Sequence, residues 1–150
     1  MGPSVQRERE SPFFLIQAAL PYLLKTKGSV VNVSSINGAR VAPNNMVYDS
    51  MKAALNHMTA GFTIDYRDQG VRFNALLPAG VDTLLLENAF KQQITDPQRF
   101  EEAMAAVRKS PKLARPEQIA DMIVLVASDK ASWLNGASIP LEGGYSLGHP

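Results

Sequence analysis

Tyr48 and Lys52 stand four residues apart in Tyr48-Asp49-Ser50-Met51-Lys52, and Tyr48 follows Ser35 by thirteen residues. On a helix the four-residue spacing puts both side chains on one face about one turn apart, so that the ammonium can act on the phenol. A free phenol, with a pKa of about 10, is a poor proton shuttle at neutral pH. Bringing it near neutrality takes about 4 kcal/mol of preferential phenolate stabilisation. One cation about 5 Å away, at an effective dielectric of about 20, supplies about 3 kcal/mol. The pattern reads as a tyrosine acid/base assisted by a lysine, with a second cation needed to complete the shift. Judged alone, the pair is a solvent-facing aromatic and a surface lysine.

The elements that must carry these residues alternate. Phe13 to Leu24 presents a broad apolar face and predicts a helix that Pro21 bends or ends. Gly28 to Ser34 is β-branched and predicts a buried parallel strand. Ser35 to Asn45 reads as loop. Val47 to about Tyr66 carries Val47, Met51, Ala54, Leu55, Met58 and Phe62 at helical spacing, with Gly70 closing the connection. Val71 to Leu77 is a second strand, stopped by Pro78. Leu84 to Ser110 predicts helix in pieces with Pro97 opening a turn, Pro116 begins a further helix through Val126, and Ala137 to Leu141 is a last short strand. Strand, helix, strand, helix, strand predicts an α/β fold with a parallel sheet, and ligands in such sheets bind at the carboxyl ends of the strands. Ser34-Ser35 ends one strand and Pro78-Ala79-Gly80 the next, so Tyr48 and the Pro78 to Thr83 loop should face one crevice.

From Ser11 to about Ser146 the chain resembles the short-chain dehydrogenase/reductase family, whose site carries a serine and then tyrosine-x-x-x-lysine about thirteen residues later. Ser11 to Pro21 is similar to the family's fourth helix, and Asn74-Ala75-Leu76-Leu77-Pro78-Ala79-Gly80-Val81-Asp82-Thr83 to its proline-glycine loop. Arg115 to Ala120, Ala127-Ser128-Asp129 and Leu141-Glu142-Gly143-Gly144 are similar to its C-terminal end. The resemblance implies a partial Rossmann-like, doubly wound parallel sheet, the C-terminal half of that fold. It implies hydride transfer between NAD or NADP and a small-molecule carbonyl or alcohol. Ser35 would hold the substrate oxygen, Tyr48 would be the general acid/base, and Lys52 would assist Tyr48 and bind the nicotinamide ribose. Ser34, Tyr48, Lys52, Pro78, Ala79, Gly80, Val81 and Thr83 are the implied cofactor contacts, and the oxidised nicotinamide is the second cation. The helix from Val47 to Tyr66 is the implied interface of a homo-oligomer. The alternative is a catalytically inactive fragment or a subunit-interaction module using that helix.

The family's glycine-rich turn, which seats the pyrophosphate on a helix N-terminus, has no counterpart among the ten scattered glycines. Residues 1–10 match nothing in the family and read as a disordered terminus, with Glu8 where a relay asparagine is expected and residues 11–150 a truncated catalytic domain. Ala79 stands where glycine is usual, a mild departure that Gly80 offsets.

A net charge of +1, without a basic stripe, argues against nucleic-acid or anionic-membrane binding. At 45% hydrophobic and 19% charged the chain is globular in composition. Zero cysteines exclude thiolate chemistry and fit a cytoplasmic location, and no apolar run approaches the length of a membrane span. His57 and His149 are too far apart and too poorly accompanied for a metal site. Asp82 reads as a loop carboxylate with no catalytic role.

Overall fold

The computed structural model describes residues 3–147, with side chains from residue 12 onward. Helix α1 spans Pro3–Thr26, longer than the sequence predicts and continuous through Pro12 and Pro21. Proline is tolerated in the first turn, where Pro3 sits. Pro21 removes one helical bond, while Ile16, Leu20 and Leu23 keep the helix against the core on both sides of it. The backbone is helical from Pro3, within the segment expected to be a disordered terminus, and residues 1 and 2 lie outside the described residues.

Strand β1 (Ser29–Val33), helix α2 (Met46–Tyr66) and strand β2 (Arg72–Pro78) follow, close to their predicted spans. Helices α3 (Leu84–Gln93) and α4 (Pro97–Arg108) resolve the segment expected to be helical in pieces. Pro97 opens α4 behind an Asp96 cap that accepts from the Arg99 N–H at 2.8 Å. Helix α5 (Pro116–Ala127) and strand β3 (Ser138–Leu141) complete the order.

The sheet is three-stranded and parallel, in the order β1-β2-β3. β2 is buried along Phe73 to Pro78, which requires cover on both faces. On one side α1 and α2 pack through Ile16, Phe62, Val71 and Phe73, where the Phe62 and Phe73 rings stack 5.4 Å apart. α5 lies against β1 and β2. β1, expected to be buried, is only half-buried, because it pairs with β2 alone among the described residues. On α2 the predicted apolar set is also only partly inside: Val47 and Ala54 are exposed, whereas Asp49, Thr59, Phe62 and Thr63 are buried. The polar ones are satisfied locally, Thr59 accepting from Asn32 Nδ2 at 2.8 Å and Thr63 donating to the Thr59 and Phe73 carbonyls.

Candidate active site

Register builds the site. Val33 of β1 lies opposite Leu76 of β2, and the Ser34 N–H continues the ladder to the Leu76 carbonyl at 2.8 Å. Two residues further along each strand bring Ser35 abreast of Pro78, at the carboxyl edge of the sheet. Both serines are buried. Ser35, extended at φ −160°, caps the 3-10 turn Ile36–Gly38, its hydroxyl oxygen accepting from the Asn37 N–H at 3.1 Å. Ser34 donates its hydroxyl to the Lys52 carbonyl at 3.1 Å, fastening the strand end to α2.

α2 delivers the other two residues. The Lys52 ammonium lies 5.6 Å from the centre of the Tyr48 ring, the one-turn relation expected from their spacing, and donates to the Val33 carbonyl at 3.4 Å. Gly38 permits this close arrangement. A Cβ there would fall 2.8 Å from the Lys52 backbone carbonyl and 2.6 Å from Asn56 Nδ2, so only glycine lets the turn lie against the helix at Lys52.

Asp49, to which the sequence pattern gives no role, organises the loop between Ser35 and Tyr48. It is 5% exposed and accepts from Asn37 Nδ2 at 3.0 Å, the Ala42 N–H at 2.7 Å and Asn45 Nδ2 at 2.9 Å. Asn45, at the N-cap of α2, spends its amide on Asp49 rather than on the helix end. The segment between the serine and the tyrosine is thereby tied to the helix carrying the tyrosine. A carboxylate next to Tyr48 and asparagines at positions 37 and 45 are visible in the sequence, but their convergence is not.

Ser35 and Tyr48 line one cavity of about 950 Å³ together with Ser34, Pro78, Ala79, Gly80, Val81 and Thr83. The expected crevice is thus present. Lys52 is held beside Tyr48 without being one of the lining residues. Thr83 donates to the Val81 carbonyl at 3.2 Å and caps α3, so it stands where the strand-end loop becomes the wall formed by Leu85, Leu86, Ala89 and Gln93. That wall is tied to the loop by Arg108 of α4, which binds Asp82 at 3.2 Å and also Glu87. The hydrogen bonds that the guanidinium donates to Asp82 and then to Glu87 hold the Arg108 pKa above its ordinary value. The described residues contain no cluster of three histidine, cysteine or carboxylate side chains able to hold a metal, and His149 lies outside them. Among them, no helix is long and apolar enough to cross a membrane.

Known proteins resemble the chain in sequence and in fold. Residues 5–146 match the family described as enoyl-(acyl carrier protein) reductase, a match that starts six residues ahead of Ser11. The chain is 38% identical over 131 residues to meso-2,3-butanediol dehydrogenase of Serratia marcescens, covering 87% of this chain and 49% of that protein. It superposes on the ligand-free aldohexose dehydrogenase of Thermoplasma acidophilum with a TM-score of 0.87 at 26% identity, covering 100% of this chain and 62% of the other. ElxO with NADP bound gives a TM-score of 0.73 at 25% identity, covering 91% and 54% respectively. The chain spans about half the length of the curated relatives it matches.

Proposed function

The chain belongs to the short-chain dehydrogenase/reductase family, and from that premise we propose that it carries the catalytic residues for hydride transfer between NAD(H) or NADP(H) and a carbonyl or alcohol substrate. The observation that carries this reading is Ser35 and Tyr48 on one cavity, with the Lys52 ammonium 5.6 Å from the Tyr48 ring.

The residues present fit a nicotinamide. The cavity, about 950 Å³, lies at the upper end of the range for small-molecule sites and exceeds what a small ketone alone needs. Val33, Pro78 and Val81 offer apolar wall, while Thr83 and the backbone of Ala79 to Val81 supply polar groups at its edge. A Cβ at Gly80 would crowd Leu113 at 3.2 Å, so the loop packs closely against the segment before α5. The dinucleotide, when bound, supplies the hydride.

The chain's own residues manage the proton and the oxygen. Tyr48 gives its hydroxyl proton to the substrate oxygen in reduction and takes one in oxidation. Ser35, buried and backed by the Asn37 N–H, donates a hydrogen bond to that oxygen, stabilising charge as it develops. Lys52 faces the phenolate left on Tyr48, and its attachment to the Val33 carbonyl fixes its position before reaction. Ser34 acts through Lys52, since its hydroxyl proton is committed to the Lys52 carbonyl.

The test is Tyr48→Phe in a form of the protein provided with a dinucleotide-binding unit. Turnover should fall by about 10² to 10⁴ with dinucleotide affinity nearly unchanged, because the phenol acts in the proton step. Retention of more than about a tenth of the rate would remove Tyr48 from this role. The 150 residues contain no glycine-rich turn, so the chain by itself should bind either dinucleotide no tighter than about millimolar. A micromolar constant in a fluorescence titration would contradict that. We further propose that α2 pairs with its own copy in a two-fold dimer, since it leaves Ala53, Ala54 and Gly61 exposed along its outer side.

A further inference from the structure

The loop that Asp49 clamps contains Ala42-Pro43-Asn44-Asn45, closed by the Asn45 N–H donating to the Ala42 carbonyl at 3.3 Å. Proline second and a positive φ third is the pattern of a type II turn, and Asn44 has φ 59°. Glycine meets that conformation without strain; asparagine is the side chain best tolerated there. The turn is fixed from both sides, because Ala42 and Asn45, which flank Pro43 and Asn44, both donate to the buried Asp49 carboxylate. Asn44 lines the cavity, is exposed, and makes no side-chain hydrogen bond to another described residue. A rigid turn therefore keeps an uncommitted amide, able both to donate and to accept, on the same cavity as Tyr48.

The charge of the cavity narrows what that amide can meet. Apart from Tyr48, none of the described residues lining it is ionisable, and Gln93 of α3 brings a second amide. An anionic substrate would lose water here without gaining a cation from the lining. A neutral hydroxyl or carbonyl would find a partner that both donates and accepts.

We propose that Asn44 is a specificity-determining residue that binds a second, uncharged oxygen of the substrate, and that the substrate class is a neutral diol or hydroxyketone. This assignment rests on the oxidoreductase reading of the same cavity. It is tested by NMR titration of the 150-residue chain with cyclohexane-1,2-diol, cyclohexanol and 2-hydroxycyclohexanecarboxylate, repeated on Asn44→Gly, which suits φ 59° and leaves the turn intact. The diol should bind about fivefold tighter than cyclohexanol, the range of one net neutral hydrogen bond, with the carboxylate weakest. Asn44→Gly should bring diol and cyclohexanol within about twofold of each other. An unchanged preference in the variant, strongest binding by the carboxylate, or no binding of any probe would overturn the assignment. Turnover of the same alcohols by a form provided with a dinucleotide-binding unit reports on the oxidoreductase reading separately. No turnover beside an intact, Asn44-dependent diol preference counts against redox chemistry and for this binding role; turnover without diol preference counts against Asn44 alone.

Discussion

Asp49 joins the segments that carry the Ser35 and Tyr48 hydroxyls, the two groups proposed to act on the substrate oxygen, through bonds to neither hydroxyl. Its carboxylate gathers two side-chain amides and one backbone N–H from the segment between Ser35 and Tyr48, and all of these donors would need new partners if it were lost. An unsatisfied buried donor costs about 1–3 kcal/mol. Asp49→Ala is therefore expected to lower stability by about 3 kcal/mol, read as a fall in the urea midpoint with little change in slope. A loss below about 1 kcal/mol would show that solvent replaces the clamp and that the loop is not held by it. The Tyr48 and Lys52 pairing needed only helical spacing to be recognised. Asp49 escaped notice because its partners are 12, 7 and 4 residues away on a loop without periodicity.

Two arginines connect elements, with different weight. Arg72 of β2 sends Nη1 to the carbonyls of Val126, Ala131 and Leu134 and Nη2 to those of Ala127 and Ser128. It thereby satisfies the otherwise unpaired carboxyl end of α5 and holds the turn leading to β3. No ammonium can reproduce that planar fork. Arg108 spans Asp82, Glu87 and its own helix α4, but its charge stands in solvent, where ion pairs are screened and contribute little. Arg72→Lys should lower the thermal midpoint by about 5 °C or more, while Arg108→Ala should change it by less than about 2 °C. Equal effects in parallel melts would mean that surface charge, not carbonyl capping, holds the C-terminal elements.

At the scale of the whole molecule, many large apolar side chains among the described residues are exposed. Phe14, Leu15 and Tyr22 are exposed on α1, Ile64 on α2 and Val124 on α5, and Trp133 is 99% exposed. With α2 as the contact between two copies, light scattering should give the mass of a dimer at tens of micromolar, and Ala54→Arg, which puts a charge on its exposed side, should return a monomer. A monomer in the unmodified protein, or a dimer untouched by Ala54→Arg, would place the contact elsewhere.

Periodicity and turn chemistry determined the alternation of elements, and the spacing of Ser35, Tyr48 and Lys52 determined where the chemistry could lie, because these depend on residues within a few turns of one another. The same local signals misjudged depth. β1 looked buried from its valines, yet burial depends on what pairs beside it, and α2 looked apolar on a face that is partly exposed while its polar Asp49, Thr59 and Thr63 lie inside. Only the tertiary structure decided that Ser34 bonds to the Lys52 carbonyl, that Gly38 is required by the nearness of a helix, and that Asp49 fixes the loop bearing Asn44. Each of these depends on the distance between segments that the parallel register brings together, and that distance is not encoded in any one segment's composition.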